Sequence, residues 1–252
     1  MILLLDVGNT RIKWRLWHDG DISQGDALPY AQFLDAFDAG QVCRETPQRI
    51  LVACVGNEAV RSTLQSHVAN RWGLSCEFFL ATAEAAGVKN AYAEPQRLGV
   101  DRWLALLAIR HRCQGPALVV DAGSALTLDV LGADGRHVGG LIVPGLDMMQ
   151  ASLFTGTGQV RFPREPARRP SVDAPFGRET ETAVKYGSFW SAISLIEGMS
   201  ARTEMLLGTT PTCFLCGGDA PALSEALRIP HRVQPDLVIE GLALQAGLEL
   251  RL

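Results

Sequence analysis

Hydrophobic residues occur along the chain in short blocks whose spacing changes between that of strands and that of helices. The first block, Leu3-Leu4-Leu5, runs into Asp6, and apolar and polar residues then alternate over positions 12–17. A period of two is typical of a half-buried strand, and the Asp19-Gly20 dipeptide that follows is typical of a hairpin turn. This part of the chain therefore predicts a strand, a tight turn, a second strand and a hairpin into a third.

The same arrangement recurs in the second half of the chain. Apolar residues lead into Asp121-Ala122-Gly123-Ser124 as they lead into Asp6-Val7-Gly8-Asn9, at an offset of 115 positions from Asp6 to Asp121. The offset also carries Asp19-Gly20 onto Asp134-Gly135 and Gly25 onto Gly140. Three turn signals in one register indicate an internal duplication.

Longer blocks after each copy predict helices and buried parallel strands. In the first half we expect strands at 49–55 and 77–80 around a helix at 58–72. In the second half we expect helices at 147–154, 179–207 and 222–228, strands at 212–216 and 231–233, and a terminal helix from Pro235-Asp236 to about 248. The interpretation is an α/β fold of two duplicated lobes, residues 1–114 and 115–252, with the boundary near Gly115-Pro116.

Composition and charge narrow the class of partner. The 252 residues are 47% hydrophobic and 20% charged, as in an ordinary globular protein. The 23 basic and 27 acidic residues give a net charge of −4, which supplies no electrostatic footprint for nucleic acid or an anionic membrane. No apolar run approaches the roughly 20 residues of a membrane helix, and residues 1–5 lack the features of a signal peptide. We expect a cytoplasmic protein with small-molecule partners.

The six cysteines allow two interpretations. Cys213-x-x-Cys216 has the spacing of a redox or zinc pair, but it lies in an apolar run that predicts a strand, where residues three apart point to opposite faces. Reduced core thiols are therefore favoured. The five histidines show no metal-ligand spacing either.

Three segments carry the signals of a nucleotide site. The turn after Asp6 and its copy after Asp121 each place backbone N–H groups and hydroxyl side chains beside a carboxylate, an arrangement suited to phosphates and their metal. A plain hairpin is the alternative for either turn alone. Gly217-Gly218 follows a predicted strand, and glycines there would let adenosine approach the backbone, although Gly-Gly is also a common strand-to-helix turn.

Gly99-Val100-Asp101-Arg102 is the candidate acceptor site. A carboxylate can take the proton from a primary hydroxyl that attacks the γ-phosphorus, and the guanidinium can bind a substrate carboxylate. The alternative is that Asp101 only favours the start of a helix through the helix dipole.

These motifs, in this order, resemble the actin-like ATPase family of acetate and sugar kinases and, more narrowly, the type III pantothenate kinases, which include the Bvg accessory factor. The resemblance covers nearly the whole chain. It rests on Asp6-x-Gly-Asn-Thr10, Tyr92 with Pro95, Gly99-Val-Asp-Arg102, Asp121-Ala-Gly-Ser-Ala-Leu-Thr127, Gly139-Gly-Leu-Ile-Val-Pro-Gly145, Thr180 before Gly187, and Gly217-Gly218. It implies two ribonuclease-H-like lobes, each a mixed five-stranded sheet flanked by helices, with a nucleotide cleft between them.

The resemblance also implies roles for individual residues. ATP phosphates would be bound by Asp6, Val7, Gly8, Asn9, Thr10, Arg11, Ile12 and Lys13, and Ser124 would contact ATP. Asp6 would serve magnesium, directly or through water, and Asp121 a monovalent cation, K⁺ or NH₄⁺. Pantothenate would be bound by Tyr92, Gly99, Val100, Asp101, Arg102 and Thr180, with Asp101 as the catalytic base. Ser124 stands where many members have Thr.

The function implied is phosphorylation of pantothenate by ATP, the first step of coenzyme A synthesis, in a homodimer. A nucleotide-binding regulatory protein that has lost turnover is the alternative, as is a kinase of the same fold for another hydroxylated acid.

Thr180 would act in its own or the partner subunit's pocket, with the helix at 179–207 at the interface. Its stripe Ala183, Tyr186, Trp190, Ile193 and Glu197 would serve there or pack into its own lobe. Arginines at 161–169 predict a solvated loop or a flap over phosphate.

Overall fold

The computed structural model describes residues 1–23, 25–155, 170 and 175–251, with only the backbone of residues 154 and 155. The arginine-rich stretch at 161–169 lies outside these ranges. The chain divides into two compact units, Met1–Arg112 with Asp236–Leu252, and Cys113–Pro235. The division after residue 112 lies close to the expected boundary at 114. The terminal segment, however, groups with the first unit, whereas the sequence placed it in the second.

The first unit is built on one mixed sheet. Its strand order is β3-β2-β1-β5-β6, with β1, β5 and β6 parallel, β2 antiparallel to β1, and the short β4 paired with β2. The elements are β1 (Ile2–Val7), β2 (Arg11–His18), β3 (Asp21–Ile22), β4 (Ala27–Pro29), α1 (Tyr30–Asp38), β5 (Arg49–Cys54), α2 (Glu58–Trp72), β6 (Cys76–Phe79), the hairpin β7 (Glu84–Ala85) and β8 (Val88–Lys89), a 3-10 turn (Pro95–Arg97) and α3 (Val100–Arg112). The sequence did not predict β4, α1 or the β7–β8 hairpin.

Helices cover both faces of this sheet. On one face, side chains such as Leu5 and Trp14 pack with Phe33 and Phe37 of α1 and with Leu64 of α2. The other face packs against α3 and the terminal helix, Leu237–Gln245. A Cβ at Gly241 of that helix would lie 1.9 Å from the carbonyl oxygen of Leu104, so only glycine allows the two backbones to pack this closely.

The second unit repeats this plan. Its elements are β9 (Ala117–Ala122), β10 (Ala125–Leu131), β11 (His137–Pro144), α4 (Leu146–Thr155), α5 (Thr180–Leu207), β12 (Thr212–Cys216), α6 (Ala220–Ser224) and β13 (His231–Val233); the terminal helix is then α7. The strand order β11-β10-β9-β12-β13 matches that of β3-β2-β1-β5-β6 position by position. The predicted duplicated α/β fold is therefore confirmed. The predicted helix at 222–228 is wrong in its bounds, because α6 begins earlier and is shorter.

Helix α5 buries one apolar face in its own unit. Phe189, Ile193 and Ile196 lie in the core formed with β9, β10 and β12, and Trp190 packs against that core while its indole N–H donates to the carbonyl of Pro175 at 3.3 Å. The Glu197 carboxylate accepts the backbone N–H of Arg228 at 2.8 Å. Trp190, Ile193 and Glu197 of the stripe thus pack within one lobe, as the second of the two interpretations expected, whereas Ala183 is exposed.

The cysteines are reduced in the structure. All six are free, and Cys213 and Cys216 are both buried in β12. Burial raises the pKa of the Cys213 thiol to about 12, so it does not ionise near neutral pH.

Among the helices of the described ranges, none is both long and apolar enough to cross a membrane.

Candidate active site

The first of the two candidate phosphate-binding turns joins β1 to β2. Residues Gly8, Asn9 and Thr10 form it, and it is closed by the N–H of Gly8 donating to the carbonyl of Arg11 at 3.0 Å. Asn9 and Thr10 are exposed. The sequence folds this way because the apolar run of β1 ends at Val7 and the alternation of β2 begins at Arg11, which leaves three residues with short side chains to reverse the chain.

Residues of this segment divide between the two faces of the sheet. Val7 and Ile12 are fully buried in the core with α1 and α2, so only their backbone groups remain for a ligand. Asp6 and Lys13 face each other across the antiparallel ladder and therefore project from the opposite face. Arg11 is exposed, and its guanidinium donates to the carbonyl of Ala27 at 2.6 Å.

The second turn joins β9 to β10 in the same way. The N–H of Gly123 donates to the carbonyl of Ala125 at 3.0 Å, so this turn is one residue shorter than the first, which Gly8 closes with Arg11. Ser124 is exposed, and its carbonyl accepts the N–H of Gly145 at 3.1 Å. Asp121 precedes the turn at the carboxyl end of β9. The second turn therefore occupies the position in its sheet that the first turn occupies in the first sheet.

Two glycine segments, far apart in the sequence, are packed against this second turn. Gly217 has φ +91°, and a Cβ there would lie 2.4 Å from the Ala122 carbonyl oxygen and 2.5 Å from Oδ1 of Asp121. A Cβ at Gly145 would lie 2.2 Å from the carbonyl oxygen of Gly123. Glycine is required at both places, so the structure brings the Gly217-Gly218 and Gly139–Gly145 motifs to the edge that carries Asp121.

Asp219 is a titratable group here that the sequence analysis did not identify. Burial, with a further contribution from the charge of Asp147, raises the pKa of Asp219 to about 6. Its backbone N–H donates to the Ala122 carbonyl at 3.0 Å. In the sequence, only the position of Asp219 directly after Gly217-Gly218 pointed to it. Its proximity to Asp147 depends on the fold and could not be predicted.

The candidate acceptor site lies at the start of α3. Asp101 is in the first turn of this helix, and its Oδ1 accepts the backbone N–H of Arg102 at 2.8 Å. Arg102 is 6% exposed; its Nη1 donates to the hydroxyl of Tyr92 at 3.2 Å, and its guanidinium carbon lies 6.0 Å from the centre of that ring. A Cβ at Gly99 would lie 2.6 Å from Oδ1 of Asp101. The structure thus gathers Tyr92, Gly99, Asp101 and Arg102, while Val100 is buried.

Asn90 fixes the loop that carries Tyr92, and sequence reasoning missed it. Its side-chain amide donates to the carbonyls of Thr82 and Pro95, and its Oδ1 accepts the N–H of Tyr92 at 3.0 Å. Asparagine in a loop is common, and only these three contacts identify its role.

Thr180 lies in the second unit, as the first residue of α5, and is exposed. A capping box between Glu179 and Thr182 fixes the start of this helix. The remaining substrate residues named from the sequence are all in the first unit. No group of three or more His, Cys, Asp or Glu side chains within the described part of the chain is placed to hold a metal ion by itself.

Comparisons with known proteins identify the family of the chain. The family model for type III pantothenate kinase matches residues 2–202. A type III pantothenate kinase of Pseudomonas putida is 38% identical over 256 residues, covering 99% of this chain and all of the relative. One of Nitrosococcus oceani is 34% identical over 250 residues, covering 96% of this chain and 92% of the relative.

Solved structures share the fold. A Campylobacter jejuni protein, described as a candidate Baf family transcriptional activator, matches with TM-score 0.59 and 24% identity over 97% of this chain and 98% of that one. A candidate 2-dehydro-3-deoxygalactonokinase of Sinorhizobium meliloti matches with TM-score 0.56 and 13% identity over 98% of both chains. The family match and the full-length identity of these kinases show that the chain belongs to the type III pantothenate kinase family.

Proposed function

We propose that this protein transfers the γ-phosphate of ATP to the primary hydroxyl of pantothenate. The observation that carries the proposal is the cluster of Asp101, Arg102 and Tyr92 at the start of α3. The same chain forms both candidate phosphate-binding turns, one after β1 and one after β9. Family membership supports the reaction class. A purely regulatory nucleotide-binding protein would need neither a base nor a buried guanidinium for an acceptor.

The acceptor side of the reaction is assigned to the first unit. Asp101 takes the proton of the pantothenate hydroxyl as that oxygen attacks the γ-phosphorus. Arg102 binds the substrate carboxylate through its fork of N–H donors, and Tyr92 holds the guanidinium in place. Gly99 leaves room for the Asp101 carboxylate against the backbone. Thr180, of the same or the partner subunit, contributes a hydroxyl to the pocket.

The nucleotide side uses both turns. Gly8, Asn9 and Thr10 offer backbone N–H groups and polar side chains, Lys13 a positive charge, and Ser124 a hydroxyl for the ATP phosphates. Magnesium is usually held by one or two carboxylates together with substrate phosphates, so Asp6 suits the metal that neutralises their charge. A monovalent cation at Asp121 would offset that carboxylate's repulsion of phosphate. Catalysis comes mainly from positioning and charge neutralisation.

Formation of ADP, measured with and without pantothenate, tests the proposal. We expect ADP only when pantothenate, ATP and Mg²⁺ are all present, with phosphopantothenate formed in equal amount. Turnover that does not depend on pantothenate, or that requires another hydroxylated acid, would contradict the assignment of the acceptor. The cytoplasmic location expected from the sequence stays a prediction.

Potassium dependence tests the role of Asp121. Replacing all K⁺ and NH₄⁺ by Na⁺ should lower turnover about tenfold or more, because the Asp121 carboxylate would then repel the phosphates. In Asp121→Asn this dependence should largely disappear, since no charge remains to be offset. Equal rates of the wild-type protein in Na⁺ and K⁺ would remove the cation from the proposed site.

We further propose that the protein is a homodimer that uses the open edge of the second sheet. Strand β11 is the edge strand, and Leu141 and Ile142 on it are 40% and 62% exposed. An apolar groove of about 200 Å³ separates it from the end of α5, where Leu206 is 67% exposed. Exposed apolar edges of this kind usually mark an interface.

Light scattering should therefore give twice the 27.2 kDa of one chain. Ile142→Glu should shift the protein towards monomer, because a charge would be buried at the interface. Leu80→Glu, at an exposed apolar residue of the first unit, is the matched control and should leave the mass unchanged. A wild-type monomer that phosphorylates pantothenate would show that one chain completes the pocket.

A further inference from the structure

Asp236 immediately precedes α7 and does not act as an ordinary helix cap. Its backbone carbonyl accepts the N–H of Glu240 at 2.9 Å, which begins the helix, but its side chain makes no capping hydrogen bond. The carboxylate instead contacts two cationic side chains of β2. Aspartate is among the best capping residues, so the pairing of this carboxylate with β2 takes the place of a common capping contact.

The contacts to β2 differ in length. Oδ1 of Asp236 lies 2.8 Å from Nη2 of Arg15 and 3.7 Å from Nζ of Lys13, and Oδ2 accepts Nε of Arg15 at 3.3 Å. Arg15 is fixed further by donating to the carbonyl of Trp14 at 2.8 Å, and its side chain is only 12% exposed. Arg15 therefore anchors the carboxylate, and the carboxylate in turn holds the ammonium of Lys13 by a longer ion pair.

Lys13 also faces a second carboxylate. It is directly opposite Asp6 in the β1–β2 ladder, so the two side chains share the sheet face on which α7 packs. Asp6, Lys13, Arg15 and Asp236 together carry no net charge. The ammonium of Lys13 is thus paired with Asp236 at the start of α7, and the residue directly across the ladder from Lys13 is Asp6, the proposed magnesium residue.

We propose that Asp236 is a positioning residue for ATP, which holds the Lys13 ammonium in place for the outer phosphates. A free lysine side chain is long and flexible, and binding a phosphate would require it to lose that freedom. An ion pair made before ATP arrives removes part of that cost, and the 3.7 Å separation leaves the ammonium able to contact a phosphate as well. This inference rests on the phosphate role proposed for Lys13.

The test is a double-mutant cycle on ATP affinity. Asp236→Asn should raise the KM for ATP and the Kd of Mg·ATP about 3- to 10-fold, the effect of losing one partly exposed ion pair. The KM for pantothenate should not change. In a Lys13→Met background the same substitution should add nothing further, because the residue that Asp236 positions is already absent.

Two further variants separate positioning from folding. Asp236→Ser removes the carboxylate but keeps a good capping residue, and it should reproduce the loss of ATP affinity with α7 intact. Glu240→Gln breaks the bidentate pair with Arg112 on the same helix, at 2.6 and 2.7 Å, and should lower the melting temperature without changing the KM for ATP.

The outcomes are distinct. Unchanged or tighter ATP binding in Asp236→Asn and Asp236→Ser overturns the inference, as does an undiminished effect of Asp236→Asn in the Lys13→Met background. An equal rise of the ATP KM in Glu240→Gln would show that α7 acts only through stability, and also overturns it. Normal Mg·ATP binding by Lys13→Met refutes the phosphate role of Lys13, and with it this inference, while pantothenate-dependent ADP formation by the wild type would leave the proposed reaction standing.

Discussion

Asp101→Asn is expected to lower kcat about 10²- to 10⁴-fold, the range typical for loss of a general base. The amide keeps the size of the side chain, and its oxygen can still accept the N–H of Arg102, which Oδ1 now accepts at 2.8 Å. Folding and ATP affinity should therefore be retained. What is lost is only the capacity to take a proton from the attacking hydroxyl.

Steady-state rates with both substrates saturating, together with the melting temperature and the Kd of Mg·ATP, check this result. Glu94→Gln is a matched control, because Glu94 is an exposed carboxylate of the same loop region whose ion pair with Arg97 is exposed as well. It should behave as the wild type. An Asp101→Asn protein that retains most of its turnover would leave Asp101 with the structural role of favouring the start of α3.

Arg102→Met is expected to lower kcat/KM for pantothenate about 10²- to 10³-fold, as for one partner of a buried, hydrogen-bonded charge pair. The guanidinium is almost wholly buried and is held by Tyr92 through both a hydrogen bond and the ring. A substrate carboxylate paired with it would be left without its donors. Methionine preserves much of the apolar stem, which limits the cost in packing.

Two variants show whether charge or geometry matters at this position. Arg102→Lys keeps the charge but not the planar fork, so its loss should be smaller but still evident in the KM for pantothenate. Tyr92→Phe removes only the hydroxyl that accepts Nη1 and should cost less than tenfold, in line with about 1 kcal/mol for a hydrogen bond. Equal changes in the KM values for ATP and pantothenate would contradict a role in binding the acceptor.

Strong local patterns allowed much of the fold to be predicted. The strand at 212–216 and the helix at 58–72 were predicted within a residue, because an apolar run or a capped helix of this length carries its own signal. Helix α1 was missed because it is short, starts directly after Pro29 and has no side-chain cap. Strands β4, β7 and β8 have at most three residues each, too few for a period of two to be seen.

The candidate site was predicted less completely than the fold. Asp101 and Arg102 are adjacent in sequence, so their association needed no tertiary information. Asn90 and Asp219, in contrast, have roles that depend on contacts with distant carbonyl groups and carboxylates. The role inferred for Asp236 depends on a contact across more than two hundred positions, which no local pattern encodes.

The sequence by itself determined the duplication, the turn at the end of each first strand and the residue types at the candidate site. These follow from short-range spacing, since a turn or a helix start is specified by a few neighbouring residues. Tertiary structure alone decided that the terminal helix belongs to the first unit and that Trp190 and Ile193 of α5 pack in the core of their own unit. Both outcomes depend on the surface against which an amphipathic helix packs. The periodicity of its sequence shows that one face must be buried, but not against which surface.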